Sequence, residues 1–275
     1  MKIGIDLGGT NVRMGVVNNG VIVKKTSERC KADQPEDVVI KQLTDMLHQI
    51  ISPEIESIGI GVPSVVDAEK GIVYNVMNIP SWKEVHLKEI LEKEFNIPVF
   101  VNNDCNCFAL GEYHFGEGAG SKDLVAVALG TGVGSGIIID GKLYNGGNTG
   151  AGEVGCIPYL EYDYESYCSS SYFTRVHGIS GKDAFEKAKA NEDVDSIILW
   201  NQFGHHVGDL MKVILFAYDP RVIILGGSIA NAYEYFAPAM MDSLDSFPYP
   251  ETVKNLKIYT SKVDDVAILG ASTLS

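Results

Sequence analysis

The sequence predicts an α/β chain built twice over, two related lobes with a cleft between them. Three observations point there. First, residues 3–23 read "IGIDLGGTNVRMGVVNNGVIV" and residues 125–144 read "VAVALGTGVGSGIIIDGKLY". Each is an apolar strand, a Gly/Thr turn, a second strand, a hairpin dipeptide and a third strand. The dipeptides, Asn19-Gly20 and Asp140-Gly141, suit two-residue hairpins because both central positions take positive φ. The same meander thus recurs about 120 residues later. Second, strand-like and helix-like segments alternate elsewhere, the pattern of layered α/β structure. Third, glycine turns follow apolar strands at three places, 6–11, 130–134 and 226–227.

The elements follow in order. Residues 35–51 have amphipathic helical spacing, with Pro35 near the start, where its missing N–H costs nothing. "SIGIGVP" is a buried strand ending in a turn, and "WKEVHLKEILEKEF" has helical periodicity. "IPVFVNND" is a strand, followed by a helix through "NCFALGEYHF". In the second half, 181–191 and 194–217 are predicted helices, and "PRVIILGGSIA" is a strand, glycine turn and helix start. Residues 229–246 form a further helix, "LKIYT" a strand, and 265–274 a last short helix. The glycine-containing "HFGEGAGSKD" at 114–123 marks the boundary. The expected division is a smaller lobe of 1–116 with 265–275 and a larger lobe of 117–264.

Composition narrows the function. Hydrophobic residues at 45% support a sizeable core, and a net charge of −14 gives no overall attraction for nucleic acid or an anionic membrane. Any phosphate must be bound locally, by backbone amides or through a metal ion. No apolar run approaches the ~20 residues of a membrane span. The N-terminus enters the strand "MKIGID" with no leader, and five cysteines, an odd number, fit free thiols in a reducing cytoplasm. Cys105 and Cys107 are spaced C-x-C, one residue short of the redox motif.

The glycine turns suggest anion cradles. In "DLGGTN", Gly8 and Gly9 let backbone N–H groups point at an anion and Thr10 adds a hydroxyl. Asp6 beside such a cradle makes sense with Mg2+ between carboxylate and phosphate. "LGTGVGSG" repeats the cradle with Gly130, Thr131 and Gly132 but has Ala128 where the first has Asp6, fitting one nucleotide held between unequal jaws. Gly226-Gly227 brings backbone close to a flat group at a helix start. There is no G-x-x-x-x-G-K-[ST] P-loop and no dinucleotide fingerprint. "VFVNNDCN" ends a strand with Asn103 and Asp104, where open α/β sheets place ligands. Asp104 can take a proton from a substrate hydroxyl that Asn103 orients; equally, Asp104 can cap the following helix.

The segments "DLGGTNVRMG", "GIGVP", "NIPSW", "NNDCNCFALGE", "ALGTGVGSGIIIDGKLYNGGNTGAGEVG" and "VIILGGSI" together resemble the ROK family of bacterial sugar kinases, in the actin-like (ribonuclease H-like)/hexokinase-like ATPase superfamily. They occur in family order over most of the chain. The resemblance implies a duplicated two-lobed fold with ATP and Mg2+ in a central cleft, a cytoplasmic enzyme that phosphorylates a hexose hydroxyl, typically O6, and a homodimer. It implies Asp104 as base, and Asn78, Asn103 and Glu153 as sugar ligands. It implies Asp6 on the Mg2+ side, through water, Gly8, Gly9, Thr10, Gly130, Thr131 and Gly132 at phosphate, and Gly226 and Gly227 at adenosine. Family repressors carry an N-terminal winged helix, whereas here Met1 opens directly into the first strand.

The chain departs from the family pattern in one stretch. After Glu153-Val154-Gly155 the family has a histidine that binds zinc; here Cys156 stands. Aligning the family's last zinc cysteine on Cys168 puts Glu161 and Asp163 at two other cysteine positions and Ser170 where a sugar-binding Glu belongs. The expectation is no zinc site, with the loop held instead by apolar packing of Ile157, Leu160 and the tyrosines of "IPYLEYDYESY". Glucose is the first substrate expected, ahead of N-acetylglucosamine, N-acetylmannosamine and fructose. A non-catalytic sugar or nucleotide sensor is the alternative from another class, and a phosphohydrolase or acetate-kinase-like enzyme is the third.

Overall fold

The structure is a computed structural model that describes residues 1–147, 150–190 and 194–275. The chain divides into two compact units. Met1–Lys122, Gly136–Ala151 and Lys262–Ser275 form the first, and Asp123–Ser135 and Gly152–Ser261 form the second.

The first meander is β1 (Lys2–Leu7), β2 (Asn11–Asn18) and β3 (Val21–Arg29), followed by α1 (Glu36–His48) and β4 (Ser57–Val62). Three short strands, β5 (Val65–Asp67), β6 (Ile72–Tyr74) and β7 (Glu84–Val85), make a small antiparallel sheet. Then come α2 (Leu87–Phe95) and β8 (Val99–Asn103), which runs without a loop into α3 (Asp104–Phe115). The second meander is β9 (Leu124–Leu129), β10 (Val133–Ile139) and β11 (Lys142–Leu143). A two-residue hairpin, β12 (Pro158–Tyr159) and β13 (Tyr162–Asp163), leads to α4 (Tyr164–Cys168), α5 (Gly181–Lys189) and the long α6 (Val194–Tyr218). The chain ends with β14 (Val222–Gly226), α7 (Tyr233–Leu244), α8 (Pro250–Asn255), β15 (Lys257–Thr260) and α9 (Val266–Ser272).

The duplication is visible in the sheets. One has strand order β3-β2-β1-β4-β8 and the other β11-β10-β9-β14-β15. In each, a meander is continued by two parallel strands, β4 and β8 on β1, and β14 and β15 on β9. Two predicted helices come out shorter. Within the segment 82–95, Val85 pairs with Val73, so β7 precedes a helix that begins only at Leu87. Within 229–246, Ser228–Ala232 is a tighter 3-10 turn before α7. Among the described residues no helix is long and apolar enough to cross a membrane.

The division also differs from the one drawn on the sequence. Gly136–Ala151 groups with the first unit, because β10 crosses α3 at Gly136 so closely that a Cβ there would lie 2.3 Å from the Cys105 carbonyl oxygen. The terminal helix belongs to the first unit as well. It lies on a floor of glycine: Gly15, Gly4 and Gly59 are neighbours in register across β2, β1 and β4. A Cβ on Gly4 would sit 1.9 Å from the Ile268 carbonyl oxygen, and one on Gly59 1.8 Å from that of Ala271. Both obstacles are helix backbone, so neither can move aside cheaply.

Gly59→Ala is therefore expected to cost about 3 kcal/mol or more of unfolding free energy in urea titrations. Gly147→Ala, where an added Cβ meets nothing within 4 Å, should stay within about 0.5 kcal/mol of the parent.

Candidate active site

In the first unit the functional residues collect at the carboxyl ends of parallel strands. Register aligns Asp6 on β1 with Gly61 on β4 and Gly61 with Asn102 on β8. Two strand spacings put Asp6 and Asn102 about 10 Å apart along the sheet. Asp104 follows as the first residue of α3. Both carboxylates also act on the buried Cys107 thiol, which burial first, then Asp104, then Asp6 push well above its ordinary pKa.

The helix cap falls to Asn103 and not to Asp104. The Asn103 Oδ1 accepts from the backbone N–H of Cys105 at 2.8 Å and of Asn106 at 3.3 Å, and its Nδ2 donates to the Ser64 carbonyl at 3.2 Å. The carboxamide expected to orient a substrate hydroxyl is thus engaged by backbone on both sides, and Asp104 Oδ1 also accepts the Cys105 N–H, at 2.8 Å. Asn102 and Asn145 were not among the expected site residues. Asn102 Nδ2 donates to Asn145 Oδ1 at 3.1 Å, and Asn106 Nδ2 donates to Asn102 Oδ1 at 2.8 Å. The clustering of asparagines around Asp104 was visible in the sequence, but the partner at 145 was not.

Asp6 faces Arg13, its register partner on β2, whose guanidinium donates through Nε at 3.0 Å and more closely through a terminal nitrogen, both to Oδ2. A guanidinium in an otherwise apolar strand was the available signal. One carboxylate with its second oxygen outside that pairing fits Mg2+, which is held by one or two carboxylates while water and phosphate complete its shell. Beside it the first glycine turn is closed by the Gly8 N–H donating to the Asn11 carbonyl at 2.9 Å, and Thr10 is exposed. Asn78 packs directly on this turn, since a Cβ on Gly9 would lie 2.5 Å from the Asn78 Cβ.

In the second unit the other two glycine turns are neighbours, because Gly226 on β14 registers with Ala128 on β9. A cavity of about 430 Å³ opens at the ends of β14 and β15, lined by Gly226, Gly227, Asn231, Glu234, Thr260 and Ser261. The turn of Gly130, Thr131 and Gly132 is closed by the Gly130 N–H on the Gly132 carbonyl at 3.0 Å. Its geometry differs from expectation in one respect. The room above Gly132 holds the Glu165 carboxylate: a Cβ would lie 2.5 Å from its Oε2, which also accepts the Val133 N–H at 3.0 Å. Ser170, aligned with a sugar-binding Glu, instead donates its backbone N–H to the Gly130 carbonyl at 2.8 Å. The acidic group at this place is Glu165.

Glu153 lies beside it. Gly152, at φ 94°, presses on β10 so closely that a Cβ would be 2.1 Å from the Ser135 carbonyl oxygen, and this fixes where Glu153 leaves the backbone. The residue is exposed, yet its carboxyl is partly desolvated; burial first, and then the charge of Glu165, raise its pKa.

A model of the ROK family matches residues 2–275. The chain belongs to the ROK family. It is 37% identical to a glucokinase from Streptomyces coelicolor over 84% of this chain and 83% of that protein. It is 27% identical to a xylose repressor from Bacillus spizizenii over 99% of this chain and 76% of that one. Its fold superposes on a ROK family glucokinase from Streptomyces griseus, solved in complex with glucose and AMPPNP, with a TM-score of 0.82 at 25% identity, covering 98% and 97% of the two chains.

The ROK zinc-loop positions have other uses in this chain. Asp163 caps α4, accepting the Ser166 N–H at 2.8 Å. Cys168 is fully buried, and burial followed by Asp209 keep its thiol protonated. Cys156 is exposed; partial burial, then Glu153, Glu165 and Asp163 raise its pKa, the wrong direction for a thiolate. Among the described residues no group of three or more His, Cys, Asp or Glu is placed to hold a metal ion. Of the side chains expected to fasten the loop, Ile157 is 37% and Leu160 68% exposed. Tyrosines hold it: Tyr159 stacks on Tyr164 at 4.2 Å and meets Tyr167 edge-on.

A carboxyl with a raised pKa in the folded protein binds its proton more tightly when folded. Its contribution is fully present at acid pH and is lost as pH rises past the ordinary carboxylate range. Glu153→Gln is expected to raise the melting temperature at pH 7 by about 1–2 °C, with the gain fading toward pH 4, as read by scanning calorimetry.

Proposed function

We propose that the protein transfers the γ-phosphoryl group of ATP to a hydroxyl of a hexose, O6 by preference, with glucose the first substrate to try. The observation that carries this reading is the place of Asp104. It is a carboxylate at the first turn of a helix that starts directly from a parallel strand, with its capping duty taken by Asn103. One of its oxygens also accepts the Cys105 N–H at 2.8 Å, and the carboxylate stands where an open α/β sheet receives its ligand, the place for a base. The glucose and AMPPNP of the Streptomyces griseus relative support the substrate pair.

In the reaction, the sugar oxygen forms a bond to the γ-phosphorus as the bond to the bridging oxygen of ATP breaks. Asp104 takes the hydroxyl proton, and ADP leaves with the electron pair. Asn78, on the first glycine turn, and Glu153 and Glu165, at the start of β10, supply the polar contacts for a polyol. With the Gly8 and Gly130 N–H groups closing their turns, the N–H groups of Gly9, Thr10 and Thr131 would face phosphate oxygens. The 430 Å³ cavity at Gly226-Gly227 has the size for a nucleoside. Magnesium bound with ATP, held through water by Asp6, would neutralise charge on the phosphate oxygens. Arg13 holds the Asp6 carboxylate in place by its two bonds to one oxygen.

A sensor that binds sugar without turnover is the second reading, favoured by the match to a xylose repressor. A coupled ADP-release assay against glucose, N-acetylglucosamine, N-acetylmannosamine and fructose separates the two. Turnover on one of them supports the kinase, and flat traces together with sugar-dependent thermal stabilisation support the sensor. Asp104→Asn should lower kcat about 10³-fold while the ATP dissociation constant changes by less than about twofold.

A further inference from the structure

The short helix α4 carries Glu165, and five residues of helix cannot fix a side chain by themselves. Asp163 caps its start, and an aromatic contact joins it to the hairpin. The Tyr159 ring stacks on Tyr164 with 15° between the planes. The Tyr159 hydroxyl donates to Asp209 Oδ2 on α6 at 2.7 Å and lies 3.1 Å from His206 Nδ1. Asp209 is fixed in turn by Ser243 of α7, whose hydroxyl donates to its Oδ1 at 2.8 Å, and by Lys212 at 2.9 Å. Polar contacts therefore run from α7 through α6 to the hairpin, and the Tyr159–Tyr164 stack joins the hairpin to α4, which carries Glu165 on the Val133 N–H.

We propose that Tyr159, through its bond to Asp209, is a positioning residue that keeps the Glu165 carboxylate on the Val133 N–H beside Glu153. The importance of that placement for sugar binding rests on the kinase reading above; the placement itself does not.

Burial pushes the Tyr159 hydroxyl far above the ordinary tyrosine pKa, with the Asp209 bond adding to it, so it stays a donor at any working pH. On Asp209 burial acts upward, but the bonds from Lys212, Tyr159 and Ser243 outweigh it and hold the carboxyl below its usual value. Burial lowers the His206 pKa against the pull of Asp209, so the imidazole beside the hydroxyl is neutral near pH 7. Donor and acceptor thus keep their roles under assay conditions. The bond spans 50 residues of sequence and connects α6 to the hairpin that leads into α4.

The test is Tyr159→Phe in the full chain, which keeps the ring and its stacking and removes only the O–H. Amide hydrogen exchange of Val133, followed by NMR, reads the Glu165 contact without any activity. Exchange about tenfold faster at Val133, with the melting temperature nearly unchanged, is the expected result, the scale of one lost hydrogen bond. Asp209→Ala should match it and Asp209→Asn, which retains an acceptor, should recover most of the protection. Glu165→Ala should accelerate Val133 equally, and adding Tyr159→Phe to it should change nothing further. In kinetics the sugar KM should rise about tenfold while the ATP KM stays within about twofold. Unchanged Val133 exchange in Tyr159→Phe overturns the proposal, as does faster exchange spread over the whole second unit with a fall in melting temperature. If the parent protein phosphorylates no sugar yet Val133 responds as described, the positioning role stands and the kinase reading fails.

Discussion

The first unit depends on the contact between the last helix and the backbone of its central strands. α9 rests on Gly4 and Gly59, and its own Gly270 meets α3 so closely that a Cβ would lie 1.8 Å from the Cys107 carbonyl oxygen. A helix wedged between sheet and helix, backbone against backbone at Gly4, Gly59 and Gly270, has little freedom to repack even where the Ile268 and Val266 side chains meet Gly15 and Gly111. The distance from β1 and β4 to α3 is then set by the van der Waals thickness of the main chain. α3 begins with Asp104, and β1 ends with Asp6. The same wedge therefore fixes Asp104 relative to Asp6, from the opposite end of the chain sequence.

Charge is arranged around this frame at short range. The chain is strongly acidic overall, yet Asp6 shares Arg13 with Asp265, at 3.7 Å, and Asp265 is also paired with Lys25. Asp265 is the residue before α9, so the ion pairs tie the N-terminal meander to the wedge as well as orienting Asp6. Pairs this exposed contribute little stability each, and their value here is geometric. An anionic phosphate approaching an acidic protein needs local cations and N–H groups, and the first glycine turn with Arg13 behind Asp6 provides them.

What could be read from the sequence was local. The meanders, hairpin dipeptides and strand-to-helix step at Asp104 are written in adjacent residues, and the repeated strand order of the two sheets follows from them. The misread parts depend on distant pairing. Val85 joins a strand because Val73 lies opposite, against the helical spacing of its neighbours. The cap passed to Asn103 because the chain turns one residue earlier than the Asp104 reading required. The family's sugar-binding Glu falls on Ser170 when Cys168 is aligned with a zinc cysteine. In the fold Cys168 is a buried core thiol, and the carboxylate reaches the glycine turn from Glu165, a contact 32 residues apart in the chain. No periodicity or spacing carries that information.

Glu153 lies beside Glu165 at the start of β10, and burial first, then the Glu165 charge, make Glu153 costly to ionise. A purely structural role would be better served by an amide. On the kinase reading the cost has a use. Two carboxylates side by side offer only acceptors, so they favour a ligand rich in O–H donors and repel one that carries a phosphate. A neutral sugar satisfies both groups at once, and each hydroxyl bonded to a carboxylate is a charge-assisted bond. A sugar phosphate meets the same pair with like charge. On that reading the pair favours a neutral sugar over one already phosphorylated. It also accounts for tyrosines, in place of a cation, behind α4. A metal or lysine at that position would neutralise the pair and lose the discrimination, whereas Tyr159 fixes Glu165 through a neutral hydroxyl and leaves its charge in place.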